Sequence, residues 1–263
     1  GEFWRSITHI GAATTTDVIQ DDLHARELGY GLGMFHHLIS DLPTHELADT
    51  LENFHIAPAY LAAFDLVVSG ITPQNSSRIN EAVAFIEQRR NDIDVLERAC
   101  ARGELKRRPI HGDPKINNVM IDEASGQAVG LIDLDTVKPG LVHYDIGDCL
   151  RSCCNRLGEE TQQPWNVSFD LELCRSILEG YLAIGRSFLT QEDFRYLPAC
   201  IRLIPLELGI RFLTDHLSGD HYFRTERAQH NLERAEVQFA LTKSIEDQWN
   251  DLNNLIDELA NQH

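Results

Sequence analysis

His111, Asp113 and Asn118 stand in the order His-x-Asp-x-x-x-x-Asn, inside the run Arg108-Pro-Ile-His-Gly-Asp-Pro-Lys-Ile-Asn-Asn118. A carboxylate just before a strand can accept a proton from a substrate hydroxyl. An asparagine five residues later comes round to face a metal. A second carboxylate, Asp133, follows in Leu131-Ile-Asp-Leu-Asp-Thr136. Two oxygen ligands, completed by phosphate oxygens and water, suit Mg²⁺, which keeps several waters and prefers few protein carboxylates. The chemistry implied is transfer of a phosphoryl group to a hydroxyl.

These residues need a rigid support. Residues 118–122 are β-like, a turn follows at 123–126, and 128–133 is a second apolar run. Two short runs around a Gly-containing turn read as a hairpin. Its return brings Asp133 beside Asn118, so base and metal ligands sit on one element. The remainder reads as helix from the recurrence of apolar residues. Helices are expected over 16–40, 58–68, 76–102, 144–157, 169–186, 192–216 and 224–261. Asp17 is the expected cap of the first, and Gly103 the stop of the third. The fold class is mainly α with a small central β-hairpin (α+β).

The chain has 263 residues and a net charge of -18, from 23 Lys+Arg against 41 Asp+Glu. Its 43% hydrophobic and 24% charged residues are those of a globular domain with a sizeable core. The acidic balance excludes a nucleic-acid surface, which needs basic clusters. No stretch approaches the roughly 20 apolar residues of a membrane span, and 1–15 is not a secretory signal. The six cysteines include no Cys-x-x-Cys pair, so buried free thiols in a reduced, cytoplasmic setting are expected rather than a zinc site.

His-x-Asp-x-x-x-x-Asn is also the catalytic-loop spacing of kinases. Joined to the hairpin and Ile132-Asp-Leu-Asp135, it resembles the aminoglycoside phosphotransferase/choline kinase-type family, whose fold is protein-kinase-like. The fuller strings 111–118, 132–137, 139–148 and 211–220, with Tyr222-Phe223, are similar to N-acetylhexosamine 1-kinases. The resemblance covers, with gaps, about 3–246. It implies that Asp113 is the base and that Asn118 and Asp133 hold Mg²⁺, with Asp133 in the place of the DFG aspartate. Lys115 matches a lysine that neutralises the transferring phosphoryl, and His111 braces the loop. Arg211, Asp215 and Tyr222 match a region near the sugar. Asp135 is open between a further metal carboxylate and a local backbone cap. Arg211 and Tyr222 are open between sugar contacts and an ordinary salt bridge with a packed aromatic. Asp145 and Asp148 are expected to cap the next helix and anchor the catalytic loop.

Gly29-Tyr-Gly-Leu-Gly33 looks like a phosphate loop but lacks a preceding strand, so close helix packing is expected. His36 and His37 face different sides of their helix and do not chelate together.

The resemblance further implies ATP as co-substrate, held mainly by a small N-terminal lobe. Of the four lysines, only Lys106 precedes the catalytic loop, and no strand-rich segment stands ahead of it. Phe3-Trp4-Arg5 resembles the linker between lobes. The expectation is therefore that 1–263 is the large (C-terminal) lobe alone, with catalytic loop 111–118 and metal-binding hairpin 118–135, and that it transfers phosphate slowly by itself. The face left by the small lobe would then favour a homodimer. The expected partner is a small-molecule acceptor, an amino sugar. An aminoglycoside or choline-type acceptor is the alternative within enzymes. A pseudokinase-like binding module is the alternative outside them.

Overall fold

The computed structural model describes residues 8–70 and 76–262; Phe3-Trp4-Arg5 lies outside the described residues. Five short strands occur among these residues: β1 (Ala13–Thr14), β2 (Arg108–Ile110), β3 (Val119–Asp122), β4 (Ala128–Leu131) and β5 (Lys138–Gly140). β3 and β4 form the expected antiparallel hairpin, with Val119 opposite Leu131 and a register shift after Met120. β1 pairs antiparallel with the outer edge of β3. β2 and β5 form a second sheet that the sequence reading did not foresee, with Ile110 opposite Lys138. Three residues each, two of them proline, leave that pair no alternation to detect.

The helices are α1 (Asp22–Leu38), α2 (Ala57–Gly70), α3 (Ser77–Glu87), α4 (Val95–Ala101), α5 (Val142–Cys153), α6 (Leu171–Gly185), α7 (Gln191–Ser218), α8 (His230–Asp247) and α9 (Trp249–Asn261). α1 starts six residues later than its apolar spacing predicts. Its cap is Asp21, whose carboxylate accepts the His24 amide at 2.8 Å. Asp17 instead accepts from the Asn117 side chain at 3.3 Å. The span 76–102 is broken between α3 and α4, where Arg89 reaches Glu246 at 2.6 Å and Arg90 reaches Asp65 at 2.7 Å. The span 224–261 also divides. Gln229 takes a left-handed conformation before α8, and the Gln248 side chain donates to the Phe169 carbonyl at 3.0 Å after it.

α5 lies at the centre, with every residue but Ser152 buried. α7 packs against α2, α5 and α8. It begins with a reciprocal cap between Thr190 and Asp193 and ends at Gly219 in the left-handed region. α1 and α6 approach backbone to backbone. A Cβ on Gly29 would lie 1.9 Å from the Ile177 carbonyl oxygen, and one on Gly180 would lie 1.9 Å from that of Arg26. The glycine run is thus a packing seam. All six cysteines are free thiols, buried except for the half-buried Cys100. Among the described residues no helix is long and apolar enough to cross a membrane.

Candidate active site

The segment 111–118 crosses from the second sheet to the hairpin, and its backbone is held from three sides. Asp145 on α5 accepts the amides of His111 at 2.6 Å and Gly112 at 2.8 Å. This is the anchoring foreseen from the sequence, although Leu141, not Asp145, occupies the cap of α5. Asp145 is fully buried, which by itself disfavours its charge. His36 donates to it at 2.8 Å, and with His111 and the Gly112 amide more than offsets burial, so its pKa lies below the ordinary carboxylate value. The other His36 nitrogen meets the Tyr181 hydroxyl at 2.9 Å.

His111 is a brace. Its Nδ1 accepts the Asp113 amide at 3.3 Å, which leaves Nε2 to donate to the Ile132 carbonyl at 3.0 Å. That bond ties the catalytic loop to the start of the Asp133 turn. Gly112 has φ 89°, and a Cβ there would lie 2.6 Å from the Thr136 carbonyl oxygen, so glycine is required. The third hold is His55. Its Nε2 donates to the Gly112 carbonyl at 2.7 Å, and its Nδ1 meets Glu207 of α7 at 3.2 Å. Burial lowers the His55 pKa, but Glu207, Asp148 and the Gly112 carbonyl outweigh it, and the net shift is upward. His55 itself sits in the left-handed region, at φ 62°.

Asp113 is half-buried and pairs with Lys115 at 2.7 Å. Burial raises its pKa, and the neighbouring Asp148 charge raises it further against the pull of Lys115. Burial pulls the Lys115 ammonium down, while Asp113, Asp148 and Asp133 more than restore it, so it is firmly protonated at neutral pH. A carboxylate of raised basicity beside a fixed cation can take a hydroxyl proton and steady the oxygen that forms.

Asn118 donates through Nδ2 to the Asp113 carbonyl at 2.8 Å, which points its amide oxygen elsewhere. The Ile132 amide bonds to the Asn118 carbonyl at 2.9 Å, and this clasp delivers the next residue, Asp133. Asp133 is exposed, with φ 62° and ψ 57°. Aspartate tolerates that region, and the turn aims it away from the strand direction. The donor set is one amide oxygen and one carboxylate. Among the described residues no group of three His, Cys, Asp or Glu side chains converges as a protein-only metal cage. A small set of this kind fits Mg²⁺, which takes most of its shell from water and phosphate. Asp135 lies in the same turn and is exposed.

Asp148 departs from expectation. It neither caps α5 nor anchors the loop. Arg151 donates to one of its oxygens at 2.8 Å, and the other is buried with no hydrogen-bond partner among the described residues. Arg151 also holds Glu159 at 2.9 Å. Asp113, Lys115, Asp148 and Arg151 line one cleft of about 450 Å³ together with Arg211 and Tyr222. Two of the three residues expected near the acceptor, Arg211 and Tyr222, therefore line the same cleft as Asp113. Asp215 does not. Its carboxylate lies beneath the 220–223 loop and accepts the amides of His221, Tyr222 and Phe223 and the Asn231 side chain, at 2.8–3.0 Å. It shapes the loop that carries Tyr222. The guanidinium of Arg211 is ringed by Phe54, Tyr60, Tyr222 and Phe223, with ring centroids 4.8–6.0 Å away. It makes no ion pair among the described residues.

The sequence model of the phosphotransferase enzyme family (APH) matches residues 1–177, which contain the whole catalytic loop and hairpin. The chain belongs to this family. Solved phosphotransferase structures share its fold at low identity. Choline kinase from Cryptosporidium parvum superposes with TM-score 0.59 at 16% identity, over 97% of this chain and 74% of that one. An aminoglycoside phosphotransferase from Alicyclobacillus acidocaldarius gives 0.57 at 16%, over 93% and 70%. Ethanolamine kinase from Plasmodium vivax gives 0.55 at 14%, over 86% of this chain and 63% of its own. The chain thus spans less than two thirds of that kinase. The kinase-like α+β architecture read from the hairpin and its flanking helices is the fold of these phosphotransferases.

Sequence reasoning missed His36, His55, Glu207 and Arg151. His36 and His55 act through partners more than 50 residues away, and local spacing carries no trace of them. Arg151 was within reach, because an Asp–Arg pair three apart on a helix is a local signal.

Proposed function

We propose that this chain is the catalytic and acceptor-binding part of an ATP- and Mg²⁺-dependent small-molecule kinase whose acceptor is an N-acetylhexosamine. Asp113 takes the proton of the attacking hydroxyl, and Lys115 neutralises charge at the transferring group. Asn118 and Asp133 would hold the metal, which when bound shields the charge on the nucleotide phosphates.

The observation that carries the choice of acceptor is Arg211. It stands in the same cleft as Asp113, caged by four aromatic rings. An aromatic cage is a receptor for organic cations, and here the chain's own guanidinium fills it. A choline or aminoglycoside cation would meet that charge head on. A neutral sugar with an acetamide oxygen would find N–H donors and ring faces instead.

The reading puts part of the nucleotide-holding surface outside the described residues. The chain alone is therefore expected to turn over well below the roughly 1–100 s⁻¹ of ordinary kinases. The test is a phosphate-transfer panel of N-acetylglucosamine, N-acetylgalactosamine, choline and kanamycin with Mg²⁺-ATP, with and without Arg211→Met. Slow transfer to the N-acetylhexosamines, lost in the variant, supports the assignment. Faster transfer to choline or kanamycin than to either sugar overturns it.

A further inference from the structure

Two cavities meet at Arg211. One is the reaction cleft that contains Asp113 and Lys115. The other, about 480 Å³, adjoins it and contains neither of them. Leu51, Phe54, Arg211, Tyr222 and Phe223 line both, so the two spaces share one wall. Each is of small-molecule size, within roughly 300–1,000 Å³.

The geometry points to a second acceptor subsite in this adjoining cavity, one that holds a second neutral, hydroxyl-bearing ring of an acceptor whose first ring meets Asp113. The inference rests on the sugar reading above and extends it from a single hexosamine to a disaccharide.

The chemistry of the lining supports a sugar ring over other occupants. Tyr222 is 73% exposed, so its face is free to stack on the C–H face of a pyranose. Thr214 and Ser218 donate their hydroxyl protons to carbonyls one turn back, at 2.7 and 2.8 Å. Their remaining lone pairs accept hydrogen bonds from ligand hydroxyls. The exposed carboxylate of Glu52 at the rim does the same. Tyr60, mainly through burial, has its phenol pushed up to about 12 and so stays a neutral donor. A cation is disfavoured by Arg211 in the shared wall. A plain alkyl tail would make no use of these polar groups. An unrelated second ligand would have to share Arg211, Tyr222 and Phe54 with the acceptor, whereas one longer acceptor uses each of them once.

Calorimetric titration of the full chain tests this with three probes: N-acetylglucosamine, its β-1,4-linked dimer, and octyl β-glucoside. The dimer is expected to bind at least about tenfold tighter than the single sugar. Ala63→Trp, at an exposed position of α2 that faces only the adjoining cavity, should cut that advantage to about twofold or less while single-sugar affinity stays the same. Binding of the single sugar with no gain for the dimer overturns the second subsite and leaves the acceptor assignment standing. So does a dimer advantage that survives Ala63→Trp, or an octyl glucoside tighter than the dimer. Failure of both sugars to bind overturns the acceptor assignment and this inference with it.

Discussion

At the residue scale, the decisive feature is that Asp113, the proposed base, is made more basic by its surroundings. Burial and the charge of Asp148 raise its pKa above 3.8, and Lys115 restrains the rise. A base works only when deprotonated, so the acid limb of the rate profile should lie above the pH of an ordinary aspartate. Lys115→Met removes the restraint and should move that limb further up, as read from kcat/KM against pH. Asp113→Asn should lower kcat by about 10²–10⁴ with acceptor affinity retained, checked by single-turnover kinetics and titration. His55 makes a second, separable prediction. Its folded-state pKa is raised above 6.5. The stability contributed by its proton is thus fully present below about 6.5 and is lost as pH rises through the higher folded-state value. Urea midpoints of the native chain should fall over that window, and those of His55→Gln should fall less.

At the scale of elements, position follows from contacts that are backbone to backbone. α1 and α6 meet at Gly29 and Gly180, and a methyl group there would strike a carbonyl oxygen that cannot swing away. Gly29→Ala should therefore destabilise by about 1–3 kcal/mol or more in chemical denaturation. Gly70→Ala, at the end of α2 with nothing among the described residues within 4 Å of its Cβ, should lie within about 0.5 kcal/mol of the parent. The difference reaches the active site, because α1 carries His36, and His36 orients the Asp145 that fixes the catalytic loop. The hairpin was legible from its two apolar runs and its turn. The β2–β5 pair was not, because strands of three residues hold too few positions to alternate. Helix existence was legible throughout, whereas starts and breaks were set by tertiary bonds such as Arg89–Glu246.

At the scale of the whole molecule, the reaction cleft is assembled from segments far apart in the chain. The 49–55 loop supplies Leu51 and Phe54, α7 supplies Arg211, and the loop after it supplies Tyr222. Lys138, buried at the end of the second sheet, holds the first of these walls. It bonds the Leu51 carbonyl at 3.0 Å and Asp49 at 2.8 Å. Lys138→Met leaves those groups without their cation. It should raise the acceptor KM about tenfold with little change in kcat, since the wall loosens but Asp113 keeps its own anchors. Faster amide exchange confined to 49–54 would accompany it. A fall in kcat equal to that in kcat/KM would show instead that the wall and the base move as one.

By itself the sequence determined the catalytic loop, the hairpin and the mainly helical class. Each is encoded over a few residues, where spacing and turn chemistry act directly. Asp113, Asn118 and Asp133 were singled out as candidates by the same local spacing. The tertiary structure alone decided what surrounds them. It placed Arg211 in a cage of rings drawn from three segments, put Asp215 under a loop, and left one oxygen of Asp148 without a hydrogen-bond partner among the described residues, in the cleft that Asp113 lines. It also joined His36 to Asp145 and His55 to Gly112. A side chain's partner across the fold depends on how whole helices pack, and local periodicity carries no information about that.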